Sequence, residues 1–328
     1  MRVIKCLTVT MLALASLPAV ARDSGDPWTA HYMWRRYFNT AEGCDSAKDK
    51  AAYLCTGIIM RGTHPGEARH VWWPENKSLP GTTIASGGVS FSYIRSDIPA
   101  PKAGWFYKNG FTVFPQTGKY AVQGKIPLKV LCSFPTDAGT DIRNKEGCGA
   151  TTDYPGVSMA CEDQNIKTAQ QWIQKYPGLP TAIEHPNPPQ IHFICGFNTR
   201  SDTRAAFQPV LDIFHTLGKN PGIPYYNEMR IGSWTPDDAT SKVFPIESFF
   251  YMAGSAEGLQ NARYDQADFY STTKQFVPIV KVTFPVGRDD KFDFSYNKAD
   301  QNPAVPRPKF PDKDPLPCEK KDGADMKC

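Results

Sequence analysis

The chain has 328 residues, of which 41% are hydrophobic and 21% are charged. This composition is ordinary for globular proteins and excludes a wholly disordered or fibrous chain. The formal net charge of +4 comes from 37 basic and 33 acidic residues, a balance that gives no general case for nucleic acid binding.

The N-terminus has the three parts of a secretory signal peptide. A basic start, Met1 to Lys5, is followed by an apolar run from Leu7 to Leu17 and by Pro18-Ala19-Val20-Ala21, an Ala-x-Ala ending. The apolar run is too short to remain as a membrane anchor. We therefore predict cleavage after Ala21, a secreted or periplasmic protein, and no membrane span in the mature chain.

Four segments have the end signals or the periodicity of helices. Asp26-Pro27 is a strong helix start, because Asp is a good N-cap and Pro is suited to the first helical position. Thr168 to Tyr176 and Leu259 to Tyr270 are further candidates. Apolar residues recur at helical spacing from Thr203 to Leu217, where Pro209 is expected to shift or kink the first turns.

Strand patterns lie between these helices. The apolar run from Ala51 to Met60 is typical of a buried strand that ends at Arg61. Gly88 to Arg95 alternates, so that Ser90 and Ser92 share one face. The remaining strand candidates are Gly110 to Pro115, Leu128 to Phe134, Gln190 to Cys195, Glu228 to Ser233 and Phe276 to Phe284, while Ile246 to Met252 is ambiguous.

These elements predict the α+β class, with a mixed or antiparallel sheet and flanking helices. No regular βαβ rhythm, internal repeat or clean interdomain linker is visible. We expect residues 1–21 to be a signal peptide and residues 22–296 to form a single globular domain. Residues 297–328, rich in Pro, Lys and Asp, are expected to form an irregular tail.

Signal removal leaves eight of the nine cysteines. An even count in an exported protein predicts four disulfides, for which 105 pairings exist. Pairing of sequence neighbours is the simplest arrangement, and it also argues against a free cysteine nucleophile. A metal site is disfavoured, because the chain has no C-x-x-C and its histidines lack ligand spacing. The neighbouring pairs are Cys44–Cys55, Cys132–Cys148, Cys161–Cys195 and Cys318–Cys328.

Standard catalytic motifs are not matched. The segment from Gly88 to Ser92 approaches the G-x-S-x-G elbow of serine hydrolases, but Ser92 replaces the final glycine and the pattern is that of a strand. The chain has no P-loop, G-x-G-x-x-G or H-E-x-x-H sequence.

One set of candidate site residues remains, formed by Arg61, Ser90, Ser92 and Glu228. Arginine is suited to gripping a pyrophosphate, a serine pair can orient a substrate hydroxyl or a carboxylate, and glutamate can stabilise an oxocarbenium-like transition state. These roles together describe glycosidic cleavage of a dinucleotide such as NAD. Each residue also has a structural interpretation, as a turn arginine, the polar face of a strand, or a salt-bridge partner.

A family resemblance adds to this hypothesis. The segments from Cys44 to Arg61, Gly87 to Arg95, Asn109 to Phe111, Tyr226 to Glu228, Pro245 to Tyr251 and Val277 to Val282 resemble landmarks of the halovibrin-type secreted proteins. The matching segments span most of residues 40–285. The resemblance implies a bacterial toxin or virulence factor that cleaves NAD to nicotinamide and ADP-ribose, with ADP-ribosyl transfer to a protein as a related reaction. NAD would be the substrate, and no metal or cofactor would be needed.

Arginine–serine–glutamate ADP-ribosylating toxins offer a looser comparison. They carry an early-strand arginine, a Ser-x-Ser strand and a late-strand glutamate, the order of Arg61, Ser90 with Ser92, and Glu228. Tyr226 stands where those toxins have a Glu or Gln that activates the protein acceptor, a departure that favours hydrolysis and leaves Glu247 as a rival catalytic carboxylate. The alternative function is a secreted binding or adhesive module that uses an aromatic loop containing Trp72-Trp73.

Overall fold

The computed structural model describes residues 28–44, 47–63, 71–72, 87–98, 108–114, 128–136, 147–148, 160–176, 194–217, 227–232, 243–286 and 290–308. Its helices are α1 (Thr29–Phe38), α2 (Ala169–Lys175), α3 (Arg204–Leu217) and α4 (Ala256–Thr273). Its strands are β1 (Gly43–Cys44), β2 (Ala47–Ala51), β3 (Ile58–Gly62), β4 (Val89–Ile94), β5 (Asn109–Val113), β6 (Val130–Phe134), β7 (Phe197–Asn198), β8 (Glu228–Ile231), β9 (Ile246–Met252), β10 (Ile279–Thr283) and β11 (Asp293–Tyr296).

One large mixed sheet dominates the architecture. It contains nine strands in the order β11-β10-β9-β5-β3-β4-β8-β6-β7, and β1 pairs separately with β2. The pair β9–β10 is parallel, and the other neighbours in the large sheet are antiparallel. The helices and this mixed sheet form a single domain of the α+β class, as the sequence predicts.

The sheet buries apolar residues on both sides. On the side that we name the α4 face, Phe91 and Phe111 of the strands belong to a core with Trp172 of α2, Phe207 of α3 and Phe269 of α4. On the opposite side, named the α1 face, a second core joins Met33 and Tyr37 of α1 with strand residues that include Met60, Ile94 and Phe250. Alternation along each strand therefore decides which core a residue enters.

The alternation predicted for β4 is confirmed. Val89, Phe91 and Tyr93 are buried in the core of the α4 face, and Ile94 is buried beneath α1. The predicted helix around residues 168–176 is also present, and its first turn carries a reciprocal capping box between Thr168 and Gln171.

The prediction of one continuous strand from Ala51 to Met60 is wrong. Residues Ala52–Leu54 form a 3₁₀ turn, and β3 begins only at Ile58. The interruption has a local cause, because the Thr56 hydroxyl donates a hydrogen bond to the Ala52 carbonyl at 2.9 Å and Gly57 has a φ of +64°. A side-chain bond to the preceding turn competes with strand pairing at this point.

Ile194 and Cys195, the described end of the strand predicted from Gln190 to Cys195, are not in a strand, and the next strand is β7. The backbone of Cys195 instead bonds to side chains of the α2 region, since its N–H donates to Tyr176 Oη and its carbonyl accepts from Trp172 Nε1. Residues 190–193 lie outside the described residues.

Two predicted helix features have different outcomes. Helix α3 includes Pro209 and continues through it. Helix α1 begins at Thr29, while the predicted start at Asp26-Pro27 lies outside the described residues.

Three of the four predicted disulfides are present, Cys44–Cys55, Cys132–Cys148 and Cys161–Cys195. Cys318 and Cys328 lie outside the described residues, as does the predicted signal peptide. Disulfides of this kind are typical of proteins outside the cytoplasm. In the part of the chain that the structure describes, no helix has the length and apolar character needed to cross a membrane.

Residues beyond Tyr296 contribute to the packed structure. The side-chain amide of Gln301 accepts a hydrogen bond from the N–H of Ile279 at 2.8 Å and donates one to its carbonyl at 2.9 Å. Gln266 of α4 donates to Gln301 Oε1 at 3.0 Å. The segment that follows β11 therefore closes one end of β10, although its composition predicts an irregular tail from residue 297.

Candidate functional site

Four polar side chains of β4 and β8 lie on the α1 face. Ser90 pairs directly with Arg230, and Ser92 and Glu228 lie two residues away along their own strands, so all four share this face. Ser90 and Ser92 are half-buried, whereas Glu228 is 4% exposed and Arg230 only 1% exposed. We refer to these four residues as the Glu228 cluster.

Hydrogen bonds connect three members of the cluster. The Ser90 hydroxyl donates to Glu228 Oε1 at 2.6 Å. Arg230 Nη1 donates to both Ser90 Oγ and Glu228 Oε1, at 2.7 and 2.9 Å. Charge-assisted bonds of this length hold a carboxylate in a defined position.

Asn227 sets the start of β8. Its side-chain amide accepts a hydrogen bond from the Tyr93 N–H and donates one to the Tyr93 carbonyl, both at 2.7 Å. The amide thus continues the β4–β8 ladder beyond the Phe91↔Met229 pair, with a side chain in place of a backbone peptide. This contact fixes the position of the adjacent Glu228 along the strand.

Strand β4 changes partners along its length. Its second half pairs with β3 from Ile94↔Ile58 to Ser92↔Met60, whereas its first half pairs with β8 from Val89 to Phe91. Among the described residues, the β3–β4 ladder thus stops at Met60, and the two strands part where Arg61 and Ser90 lie. Backbone groups at such a junction need other partners.

Arg61 supplies one of those partners. Its Nη1 donates to the Ser90 carbonyl oxygen at 2.7 Å. By alternation along β3, Arg61 lies on the α4 face with Ile59, whereas Met60 lies on the α1 face. Arg61 and the Glu228 cluster therefore approach Ser90 from opposite sides of the sheet.

Glu247 lies in a different part of the sheet. Thr112 pairs with Ser248 and Val113 with Ile246, so Glu247 is the extra residue of a β-bulge in β9. Its Oε2 forms an ion pair with Arg36 Nη2 of α1 at 2.5 Å. Three strand spacings, roughly 14 Å, separate β9 from β4. The structure brings Arg61, Ser90, Ser92 and Glu228 together and leaves Glu247 apart.

A second ionic network occupies the C-terminal end of β4. Arg95 is fully buried and donates from Nε and Nη2 to the two carboxylate oxygens of Asp97, at 2.6 and 2.8 Å. Burial raises the pKa of Asp97, but hydrogen bonds from His215 and Arg95 outweigh it and hold that pKa below its ordinary value. This network ties the end of β4 to the last turn of α3.

Trp72, from the predicted aromatic loop, is a core residue. It is fully buried, its rings form edge contacts with Phe244 and Phe269, and its Nε1 donates to Asp268 Oδ2 at 2.8 Å. This side chain is therefore not displayed for an external partner. Trp73 lies outside the described residues.

The described contacts also bear on two other kinds of site, a serine hydrolase centre and a metal site. The Ser90 hydroxyl is bonded to Glu228 and Arg230, which is not the serine–histidine arrangement of hydrolases. Within the described ranges, no group of three His, Cys, Asp or Glu side chains is placed to hold a metal ion.

Sequence reasoning missed Asn227 and Arg230. A signal for Arg230 was present, since it lies two residues after Glu228 in a strand and so shares its face. Asn227 gave no such signal, because its role depends on the backbone of a strand more than one hundred residues earlier.

Comparison with known proteins did not identify a related protein. A scan against models of protein families and a search of curated proteins both found no match to this chain. The resemblance to the halovibrin-type proteins therefore stays a prediction from sequence.

Proposed function

We propose that the protein is an exported NAD glycohydrolase. The bond between the nicotinamide nitrogen and ribose C1′ breaks, positive charge develops on the ribose, and water adds to C1′ with release of a proton. The products are nicotinamide and ADP-ribose, and transfer to a protein acceptor would replace water with a protein nucleophile.

One observation carries this proposal. Ser90 accepts a hydrogen bond from Arg61 at its carbonyl and donates one to Glu228 from its hydroxyl. Arg61 and Glu228 lie 29 residues before and 138 residues after Ser90 in the chain. Folding therefore joins the three residue types of the arginine–serine–glutamate pattern at a single serine.

The chemistry assigns a role to each residue. A carboxylate held at Glu228 favours the positively charged transition state over the neutral ground-state ribose. Ser90 positions that carboxylate, and Ser92 on the same face would orient the nicotinamide ribose. Arg61 lies on the α4 face, opposite Glu228, and supports Ser90 through its backbone carbonyl. Holding the pyrophosphate would require NAD to pass the point where β3 and β4 part, so that it reaches Arg61 as well as Glu228.

Glu228→Gln is the variant that tests this assignment. It keeps the size and hydrogen-bonding capacity of the side chain but removes its charge. We expect turnover of NAD by the purified mature protein to fall by about 10²-fold or more, with a much smaller change in KM. Nicotinamide release measured by chromatography gives both constants.

Glu247→Gln is the matched comparison, because it neutralises the other arginine-paired glutamate of the sheet. We expect it to retain turnover, since Glu247 lies three strands away from Ser90. Loss of turnover in Glu247→Gln with retention in Glu228→Gln would move the catalytic carboxylate to β9. Retained turnover in both variants would refute the glycosidic mechanism, and a wild-type protein without nicotinamide release would leave the binding module as the better proposal.

A further inference from the structure

Arg230 has no part in the reaction as written above, yet it is the most deeply buried member of the Glu228 cluster. It is 1% exposed, and its Nε donates to the Gly87 carbonyl at 3.3 Å. Its Nη1 contacts both Ser90 Oγ and Glu228 Oε1. Arg230 is thus anchored on the backbone at one atom while another atom contacts the two side chains.

The hydrogen bonds have a defined direction. A serine hydroxyl has one hydrogen to donate, and an arginine N–H can only donate. Because Arg230 donates to Ser90 Oγ, the Ser90 hydrogen points to Glu228 Oε1. Arg230 therefore orients the hydroxyl that in turn holds the carboxylate.

Charge balance gives Arg230 a second effect. Glu228 is 4% exposed, and a buried carboxylate without a partner is strongly destabilised relative to one in water. A guanidinium at 2.9 Å offsets this desolvation and favours the ionised carboxylate.

Within the part of the chain that the structure describes, few other groups can replace this charge. In the described strands next to β8, β4 contributes the titratable Tyr93, which lies on the opposite face and whose pKa is raised by burial. β6 contributes Cys132, which is held in a disulfide, and no charged residue. Arg61, from β3, contacts the carbonyl of Ser90. Arg230 is the described cation in direct contact with Glu228.

We propose that Arg230 is a positioning residue of this site, which orients the Ser90 hydroxyl and keeps Glu228 ionised before substrate arrives. The inference rests on the proposed function for its catalytic consequence, since glycosidic cleavage needs Glu228 as an anion. The effect of Arg230 on the ionisation of Glu228 does not depend on that function, and it can be measured in a protein that turns over no substrate.

Arg230→Met removes the charge and keeps an unbranched side chain. We expect the acid limb of the kcat profile to move to higher pH by about one unit or more, with KM changed little. At pH values on the shifted limb kcat should therefore fall below that of the wild-type protein, and it should recover as the pH rises. A purely structural role would lower stability and leave the acid limb in place, and that result would overturn the proposal.

Arg230→Lys provides a second test should Arg230→Met fail to fold. Lysine keeps the buried charge but cannot reproduce the planar fork that reaches Gly87, Ser90 and Glu228 together. We expect an unchanged acid limb and a kcat lower by about tenfold. A wild-type kcat in this variant would contradict the orienting role.

Arg95→Met is the matched control for Arg230→Met, since Arg95 is also buried and paired with a carboxylate but lies outside the cluster. It should lower the melting temperature and leave the acid limb unchanged. An acid limb that moved as far in Arg95→Met as in Arg230→Met would refute a role specific to Arg230.

Titration of Glu228 separates this inference from the proposed function. ¹³C-glutamate NMR, with the Glu228 signal assigned by its loss in Glu228→Gln, follows ionisation directly. A higher pKa of Glu228 in Arg230→Met supports the inference even if the wild-type protein does not cleave NAD, an outcome that would refute only the proposed function. An unchanged Glu228 titration in Arg230→Met would overturn the inference whatever the activity.

Discussion

Glu228 and Glu247 show how similar residues acquire different surroundings. Each lies on a strand of the same sheet and each forms an ion pair with an arginine. The partner of Glu228 lies on its own strand, next to two serines, whereas Arg36 reaches Glu247 from α1 and lies over the Phe114 ring at 4.3 Å. The Glu247 pair thus ties a helix to a bulged strand, whereas Glu228 belongs to a cluster of polar side chains.

Asp265 of α4 is a buried carboxyl of another kind. Asn109 donates to its Oδ2 at 3.4 Å. Burial, together with the charge of Asp268, raises the pKa of Asp265 to about 8. Its pKa in the folded protein exceeds that in the unfolded chain, so its effect on stability becomes less favourable as the pH rises from about 4 to about 8.

Asp265→Asn should remove this pH dependence. We expect the variant to exceed the wild-type protein in free energy of unfolding by about 2 kcal/mol at pH 8. At pH 4 the difference should be far smaller, because Asp265 is then protonated in the folded protein and close to half protonated on unfolding, near its ordinary pKa. Urea denaturation at both pH values measures the difference, with the exposed Asp49→Asn as control. An equal difference at pH 4 and pH 8 would contradict the raised pKa.

The turn before β3 packs directly against Tyr93 of β4. The Thr56 hydroxyl lies 2.8 Å from Tyr93 Oη on β4. Gly57 has a φ of +64°, and a Cβ there would lie 2.3 Å from Tyr93 Cε2. The absence of a side chain at Gly57 therefore allows the ring to lie against the turn, next to the point where Asn227 aligns β8.

Gly57→Ala should destabilise the protein through both backbone strain and overlap with the Tyr93 ring. Gly254→Ala measures the cost of backbone strain alone. Gly254 also has a positive φ, +84°, but a Cβ added there would meet no atom within 4 Å. We expect Gly254→Ala to lower the free energy of unfolding by about 1 kcal/mol. Gly57→Ala should lower it by about 2 kcal/mol more. Chemical denaturation measures both values. An equal loss of unfolding free energy in the two variants would show that overlap with the Tyr93 ring does not destabilise Gly57→Ala.

At the scale of the whole molecule, the three disulfides among the described residues connect chain segments that are near in sequence. The three bridges close separations of 11, 16 and 34 residues. Cys132 of β6 pairs directly with Arg230, so the Cys132–Cys148 bridge lies beside the Glu228 cluster. The bridges therefore secure local segments, while the nine-stranded ladder joins the distant parts of the chain.

We expect the oxidised mature protein to contain no free thiol, which requires a fourth bridge between Cys318 and Cys328. Alkylation in denaturant without reductant, followed by mass spectrometry, counts the thiols and maps the pairs. Two labelled cysteines at 318 and 328 would limit the molecule to the three bridges already described. Labelling of Cys132 or Cys148 would contradict the pairing beside the Glu228 cluster.

The sequence by itself determined features that depend on near neighbours. The two faces of β4 and the helix from Thr168 to Tyr176 are readable because periodicity is a local property. Pairing of neighbouring cysteines was the simplest of 105 arrangements, and three of those pairs are present among the described residues. Arg61, Ser90, Ser92 and Glu228 also stand out in the sequence, from their residue types and their order along the chain.

Only the tertiary structure decided which of these residues meet. The partner change along β4, the contact of Arg61 with a backbone carbonyl, and the pairing of Glu247 with Arg36 depend on strand order, register and a bulge. These are long-range choices, set by which strands pair and which faces are buried, and no local pattern encodes them. The single strand predicted from Ala51 to Met60 is a mixed case, since the turn before β3 combines the local bond from Thr56 to the Ala52 carbonyl with a contact between Thr56 and Tyr93 from another part of the chain.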